Sequence, residues 1–173
     1  MMISHGHRDI LDIDWAFFGE LCRSLALRIQ GHYDPELVLG ITKAGVIPGV
    51  VVASIMQRDF ASMGVTRLGD AVSPTLVTEP PPGVAGRRIL VVDETCDSGD
   101  TLKLATAAVK ELGPAAVKTA VSFQTGSYEP DFYGMATKST IILPWDREVI
   151  VDGELVPRTE YAARLAQEES ADS

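Results

Sequence analysis

The chain is poor in cysteine, in positive charge and in long apolar runs. Only Cys22 and Cys96 occur among 173 residues. Two cysteines build neither a disulfide framework nor a zinc site, and they suit a reducing cytoplasm. Lysine and arginine number 15 against 24 acids, for a net charge of −9. An acidic surface disfavours nucleic acid and anionic membranes as partners. It does not exclude a small anionic ligand, because a local cradle and a divalent cation outweigh the global field. No apolar run approaches the ~20 residues of a membrane span. No signal-peptide pattern opens the chain and no internal repeat is visible. The expectation is one cytoplasmic domain over residues 1–173, long enough for a substantial core.

The most informative stretch is residues 88–102, RILVVDETCDSGDTL. Ile89, Leu90, Val91 and Val92 form a short β-branched run, which predicts a strand buried on both faces. The strand is expected to stop at two acids, Asp93 and Glu94. A small polar loop follows: Asp97, Ser98, Gly99, Asp100 and Thr101. From Leu102 the period becomes helical, with Leu102, Ala105, Val109 and Leu112 on one face. Gly113 and Pro114 end that helix. A helix start offers backbone N–H groups and a favourable dipole to a phosphate. Ser98 and Thr101 add hydroxyls, and Gly99 permits close approach. Acids at a strand's carboxyl end suit hydroxyls or a divalent metal, so phosphate on the loop with ribose and Mg²⁺ at the acids describes a sugar phosphate. No Walker A loop is present, and adjacent acids do not match the spacing of a haloacid-type phosphatase.

The same pattern occurs once earlier. Residues 37–41 predict a buried strand, then come Thr42, Lys43, Ala44 and Gly45, then a helix from about 46 to 57. This loop carries a positive charge and suits a second anion. Upstream, residues 1–12 form a polar tail with His5 and His7. Asp12 or Asp14 caps a helix running to about Gln30, with Phe18, Leu21, Cys22, Leu25, Ala26 and Ile29 as its apolar stripe. Residues 60–67 alternate as a strand, and 73–79 could form a hairpin arm. The long, proline-bearing segment 68–86 has the character of a lid. Arg67, Arg87 and Arg88 are candidate phosphate contacts. Residues 116–123 predict another strand, 128–135 a loop, and 139–143 a short strand. After Val149 come a β-like extension and a polar helical tail, docked through Tyr161 and Leu165 and frayed over its last five residues.

Residues 91–102, VVDETCDSGDTL, resemble the phosphoribosyl diphosphate (PRPP) motif of type I phosphoribosyltransferases: apolar strand, two acids, two variable residues, then Asp-(Ser/Thr)-Gly-x-Thr. GITKAGVIPG, residues 40–49, resembles the family's diphosphate loop, with alanine in place of its first glycine. That loop often holds a non-proline cis peptide. EPDFYG and ILPWDRE resemble segments of the purine enzymes acting on xanthine, guanine or hypoxanthine.

The resemblance implies a parallel-sheet α/β fold with helices on both faces and a small hood subdomain. It places the core at about 34–143, the hood at about 1–31 and 144–173, and a flexible loop at about 68–86. It implies Mg²⁺-dependent transfer of a 5-phosphoribosyl group from PRPP to a nucleobase, in a homodimer. Asp97, Ser98, Gly99, Asp100 and Thr101 would take the 5′-phosphate. Asp93 and Glu94 would hold ribose and metal, directly or through water. Thr42, Lys43, Ala44 and Gly45 would hold the diphosphate, and Asp97 would be the catalytic proton acceptor. The base would meet Gln124, Thr140 and Ile141. Gln124 stands where 6-oxopurine enzymes carry a lysine, and Thr140 where they carry a stacking aromatic. A non-catalytic PRPP- or nucleotide-binding regulator is the alternative.

Overall fold

The computed structural model describes residues 9–69 and 72–162. In chain order the elements are β1 (Ile10–Asp12), α1 (Trp15–Gln30), β2 (Leu37–Thr42), α2 (Val46–Met56), β3 (Asp59–Thr66), β4 (Thr75–Thr78), a 3₁₀ turn (Pro82–Val84), β5 (Arg88–Cys96), α3 (Asp100–Glu111), β6 (Ala116–Gln124), β7 (Phe132–Ala136), β8 (Thr140–Ile142), β9 (Glu148–Val151) and β10 (Glu154–Pro157). They fall into two compact units. One runs Gly19–Thr137; the other draws on residues up to Phe18 and from Lys138 onward. None of the described helices is long and apolar enough to cross a membrane.

The larger unit is built on a six-stranded sheet in the order β4-β3-β2-β5-β6-β7. Only β4 is antiparallel to its neighbour. Counted along the chain, the five parallel strands lie in the order 2-1-3-4-5. The central strands β2 and β5 are the apolar runs anticipated from the sequence, and they are buried on both faces. Side chains alternate across a strand, so Leu37, Leu39, Ile41, Ile89 and Val91 face α3, where Leu102, Ala105 and Val109 pack. Val38, Leu90 and Val92 face the other side, against Leu25, Ala26 and Ile29 of α1 and Val52 and Ala53 of α2. α2 and α3 therefore cover opposite faces. The crossovers from β2 and from β5 diverge, and a crevice opens between the carboxyl ends of those two strands.

Several local expectations are corrected. β5 does not stop at the acids: it pairs with β6 through Thr95↔Phe123 and Cys96↔Gln124. Ladder bonds use the backbone, so a polar side chain does not end a strand that has a partner. Leu112 is 38% exposed and lies beyond α3, past the last turn that faces the sheet. Within the expected loop 128–135, residues from Phe132 onward instead form β7, which runs to Ala136, because β6 offers them an edge. β1 falls at the end of the expected polar tail, where it pairs in parallel with β8. Arg87 and Arg88 bind Asp59, Asp34 and Glu36 at the amino end of β5. That is about 30 Å of extended chain from Asp97, too far for phosphate contact. The tail histidines, Leu165 and the last five residues, for which fraying is expected, lie outside the described residues.

Asp131 anchors β7 to β6. Its carboxylate accepts the Lys118 ammonium at 2.7 Å, the Thr119 N–H at 2.8 Å and the Thr119 hydroxyl at 3.0 Å. Burial pushes this carboxyl up, but those three donors outweigh it and hold it below the ordinary range. The stability it adds is therefore present at neutral pH and lost as pH falls through the folded-state value. Asp131→Ala, which strands the buried Thr119 donors, is expected to cost about 1–2 kcal/mol at pH 7. The deficit should shrink in urea melts run at progressively lower pH.

The smaller unit holds the β1–β8 pair and the β9–β10 hairpin, whose Asp152-Gly153 turn has positive φ at both residues. Asp14 Oδ1 accepts the Phe17 N–H at 2.7 Å and caps α1. Trp145 packs edge-on to Phe18, with ring centroids 4.8 Å apart.

Candidate functional site

β5 delivers Asp93 and Glu94 to the crevice and continues into the 97–101 loop. Gly99 takes φ +77° and precedes the first turn of α3. A side chain there would be strained by that backbone and would strike the Tyr128 ring, 2.2 Å from where a Cβ would stand. Ser98 Oγ accepts the Asp100 N–H at 3.4 Å. Lys103, one turn into α3, donates to Ser98 O at 3.0 Å and to Asp100 Oδ1 at 3.4 Å.

β2 delivers Thr42, Lys43, Ala44 and Gly45 to the same crevice. The Thr42–Lys43 peptide bond is cis. Lys43 is exposed, whereas Gly45 is buried between the central strands. A Cβ on Gly45 would lie 2.7 Å from both Ile41 O and Val92 O and 2.8 Å from Asp93 Cα. Backbone surrounds that position, so α2 can begin there only with glycine.

The two loops border adjoining clefts of about 180 and 290 Å³. The first is lined by the acid pair and the 97–101 loop, the second by Thr42, Lys43, Ala44 and β3. Arg67, Asp93, Glu94 and Thr101 line both. Asp93 is buried, with Oδ1 accepting the Glu94 N–H at 2.9 Å. Burial pushes its carboxyl well above the ordinary range, and the adjacent Glu94 carboxyl adds to the shift. Two hard oxygen donors pressed together in this way fit Mg²⁺, which binds through one or two carboxylates and completes its shell with water and substrate phosphate. Arg67 and Lys43 supply positive charge at the cleft walls. Arg67, the first residue after β3, also donates its Nε–H to Val72 O at 3.2 Å, within the segment between β3 and β4.

The acid pair and the two loops anticipated for phosphate, ribose and metal thus lie at the carboxyl ends of β2 and β5, with Arg67 just past β3, whereas Arg87 and Arg88 lie at the opposite end of the sheet. Gln124 lies at the end of β6, beside Cys96 in register. Its amide nitrogen donates to Tyr128 O at 2.9 Å, which leaves its oxygen as an acceptor. Thr140 and Ile141 lie on β8, in the smaller unit. Gly126, Tyr128 and Lys103 were not anticipated, although they touch the 97–101 loop. A Cβ on Gly126 would stand 2.0 Å from Asp97 Oδ1. Only the closeness of Gly126 to Gln124 in sequence hinted at this.

The phosphoribosyl transferase domain family matches residues 14–154. Among solved structures, a purine phosphoribosyltransferase from Pyrococcus horikoshii superposes with a TM-score of 0.74 at 23% identity, over 84% of this chain and 99% of that one. A Neisseria gonorrhoeae protein with bound ppGpp gives 0.73 at 19% identity, over 95% and 99%. The Helicobacter pylori xanthine-guanine-hypoxanthine phosphoribosyltransferase gives 0.68 at 18%, over 79% and 94%. At these identities the likeness speaks for the fold. No curated protein matches the sequence.

Proposed function

The chain belongs to the phosphoribosyl transferase domain family, and from that premise we propose that it transfers the 5-phosphoribosyl group of PRPP to a purine base of the xanthine, guanine or hypoxanthine kind, releasing diphosphate. One observation carries the reading. Two anion-suited loops, one holding Lys43 and one holding Ser98 and Thr101, border clefts that share a carboxylate pair and Arg67. A ligand with a phosphate at one end, a diphosphate at the other and hydroxyls between them matches that spacing of charges.

In the reaction, a ring nitrogen of the base bonds to the ribosyl carbon. The bond from that carbon to diphosphate breaks, and diphosphate leaves with the electron pair. Positive charge develops on the ribosyl ring in the transition state, as in glycoside chemistry. The 97–101 loop holds the 5′-phosphate and fixes the ribosyl carbon relative to the base. Asp93 and Glu94 hold the ribose hydroxyls and are the residues that would hold Mg²⁺. When bound, the metal neutralises the diphosphate as a leaving group. Lys43 and Arg67 bind diphosphate, and Asp97 accepts the proton that the base sheds. Gln124, Thr140 and Ile141 remain the proposed base contacts, and a homodimer the proposed assembly.

Arg67→Ala is expected to raise KM for PRPP about tenfold, with a smaller change in kcat, because a charge-assisted phosphate contact is lost. Steady-state kinetics with varied PRPP checks this.

A second reading, a nucleotide-binding regulator, draws support from the ppGpp-bound structure, which this chain matches over 95% of its length. Diphosphate release from Mg²⁺–PRPP with xanthine, guanine, hypoxanthine, adenine, uracil and orotate decides between the two. Turnover with a purine supports the enzyme. Silence across the panel, with PRPP or ppGpp bound in calorimetric titration, overturns it in favour of the regulator.

A further inference from the structure

The 124–128 segment lies against Cys96, Asp97 and Gly99, at the start of the 97–101 loop. Thr125 donates both its N–H and its hydroxyl to Cys96 O, at 2.9 and 3.2 Å. The Tyr128 N–H donates to Asp97 O at 3.3 Å. Gly126 leaves no room beside Asp97, and the Tyr128 ring fills the space where a Gly99 side chain would stand. The Lys103 ammonium sits 5.3 Å from the centre of that ring, on its face, while holding Ser98 O and Asp100 Oδ1. Gln124, through Tyr128 O, ties the segment into a closed turn.

We propose that Tyr128 and Lys103 form a positioning clamp that fixes the backbone of Ser98, Gly99 and Asp100, so that residues outside the recognised motif set how well the loop holds a phosphate monoester. The last part rests on reading the 97–101 loop as the phosphate cradle. The physical need for a clamp comes from Gly99. Glycine adopts both signs of φ readily, so a loop that pivots on it samples more than one shape. A cradle must present its N–H groups together before the ligand arrives, or binding bears the cost of ordering them. The Tyr128 ring blocks the space into which Gly99 would move. Lys103 pins the carbonyl before Gly99 and the side chain after it. It also sets a positive charge beside Asp100, an acid that would otherwise oppose a phosphate. The Ser98 hydroxyl, and after it Lys103, hold the Asp100 carboxyl below its ordinary range.

The test compares Tyr128→Ala, Tyr128→Phe and Lys103→Met with the native chain. Hydrogen exchange of the peptide covering residues 97–103 is followed by mass spectrometry without ligand, and ribose 5-phosphate is titrated by calorimetry. Tyr128→Ala is expected to speed exchange at residues 98–101 and to weaken ribose 5-phosphate about tenfold, the scale of one lost positioning contact. Tyr128→Phe keeps the ring and is expected to match the native chain in both measurements. Lys103→Met, a surface change, is expected to move both in the direction of Tyr128→Ala, and it stands in if that variant does not fold. Native exchange and native affinity in Tyr128→Ala and Lys103→Met would overturn the clamp. Faster exchange in the variants of a chain that binds no ribose 5-phosphate would uphold the clamp and overturn the phosphate reading instead.

Discussion

Replacing Asp97 by asparagine is expected to cut turnover about 10²–10⁴-fold, the usual worth of a positioned proton acceptor. PRPP affinity is expected to stay within a few-fold of native. The substitution is close to isosteric, so it fits the tight space against Gly126, where a Cβ would stand 2.0 Å from Asp97 Oδ1. The backbone of Asp97, which accepts the Tyr128 N–H, is unchanged. Only the ability to take up a proton is lost. Asp97 is exposed at the crevice, so a base bound there can reach it. The measurement is kcat at saturating PRPP and base, paired with a calorimetric Kd for Mg²⁺–PRPP. A fall in kcat with Kd preserved marks an interaction made in the transition state. Native kcat in this variant would remove Asp97 from the chemistry, and an equal loss of kcat and affinity would make it a binding residue.

Gly45→Ala should have the largest effect on the fold. Its φ of −64° suits any residue, so the penalty is one of space alone. The added carbon would meet Ile41 O and Val92 O at 2.7 Å and Asp93 Cα at 2.8 Å, all backbone of the two central strands. Neither strand can yield without opening the ladder that joins Leu37–Gly40 to Ile89–Val92. Overpacking of this kind costs about 3 kcal/mol, or roughly 6–12 °C in Tm for a chain of this size. The displaced atoms belong to the two strands that carry the loops of the crevice, so PRPP binding should fall along with stability. Thermal melts and PRPP titration of the same preparation check both. A native Tm would mean that α2 can shift outward to make room.

Much of the crevice was legible in the linear order of residues. Two apolar runs, each followed by a polar glycine-bearing loop and a helical period, predicted β2, β5 and the loops that carry Lys43 and Asp97. Those features are local: periodicity and turn chemistry act over a few residues. An aspartate cap for α1, at Asp12 or Asp14, and the buried stripe from Phe18 to Ile29 were legible for the same reason, and the structure selects Asp14. What failed was what depended on a distant partner. β5 runs on to Cys96 because β6 lies beside it, and β7 exists because β6 has a second edge to offer. Arg88 pairs with Asp34 and Glu36 because a parallel strand keeps its two ends apart. The sequence by itself determined which apolar runs form the central strands and what chemistry the loops after them carry. Only the tertiary structure decided that β2 and β5 would be neighbours with diverging crossovers, and that Gly126 and Tyr128 would lie against Asp97 and Gly99. Such contacts join residues far apart in the chain, and their pairing is selected by the packing of the whole sheet rather than by any local pattern.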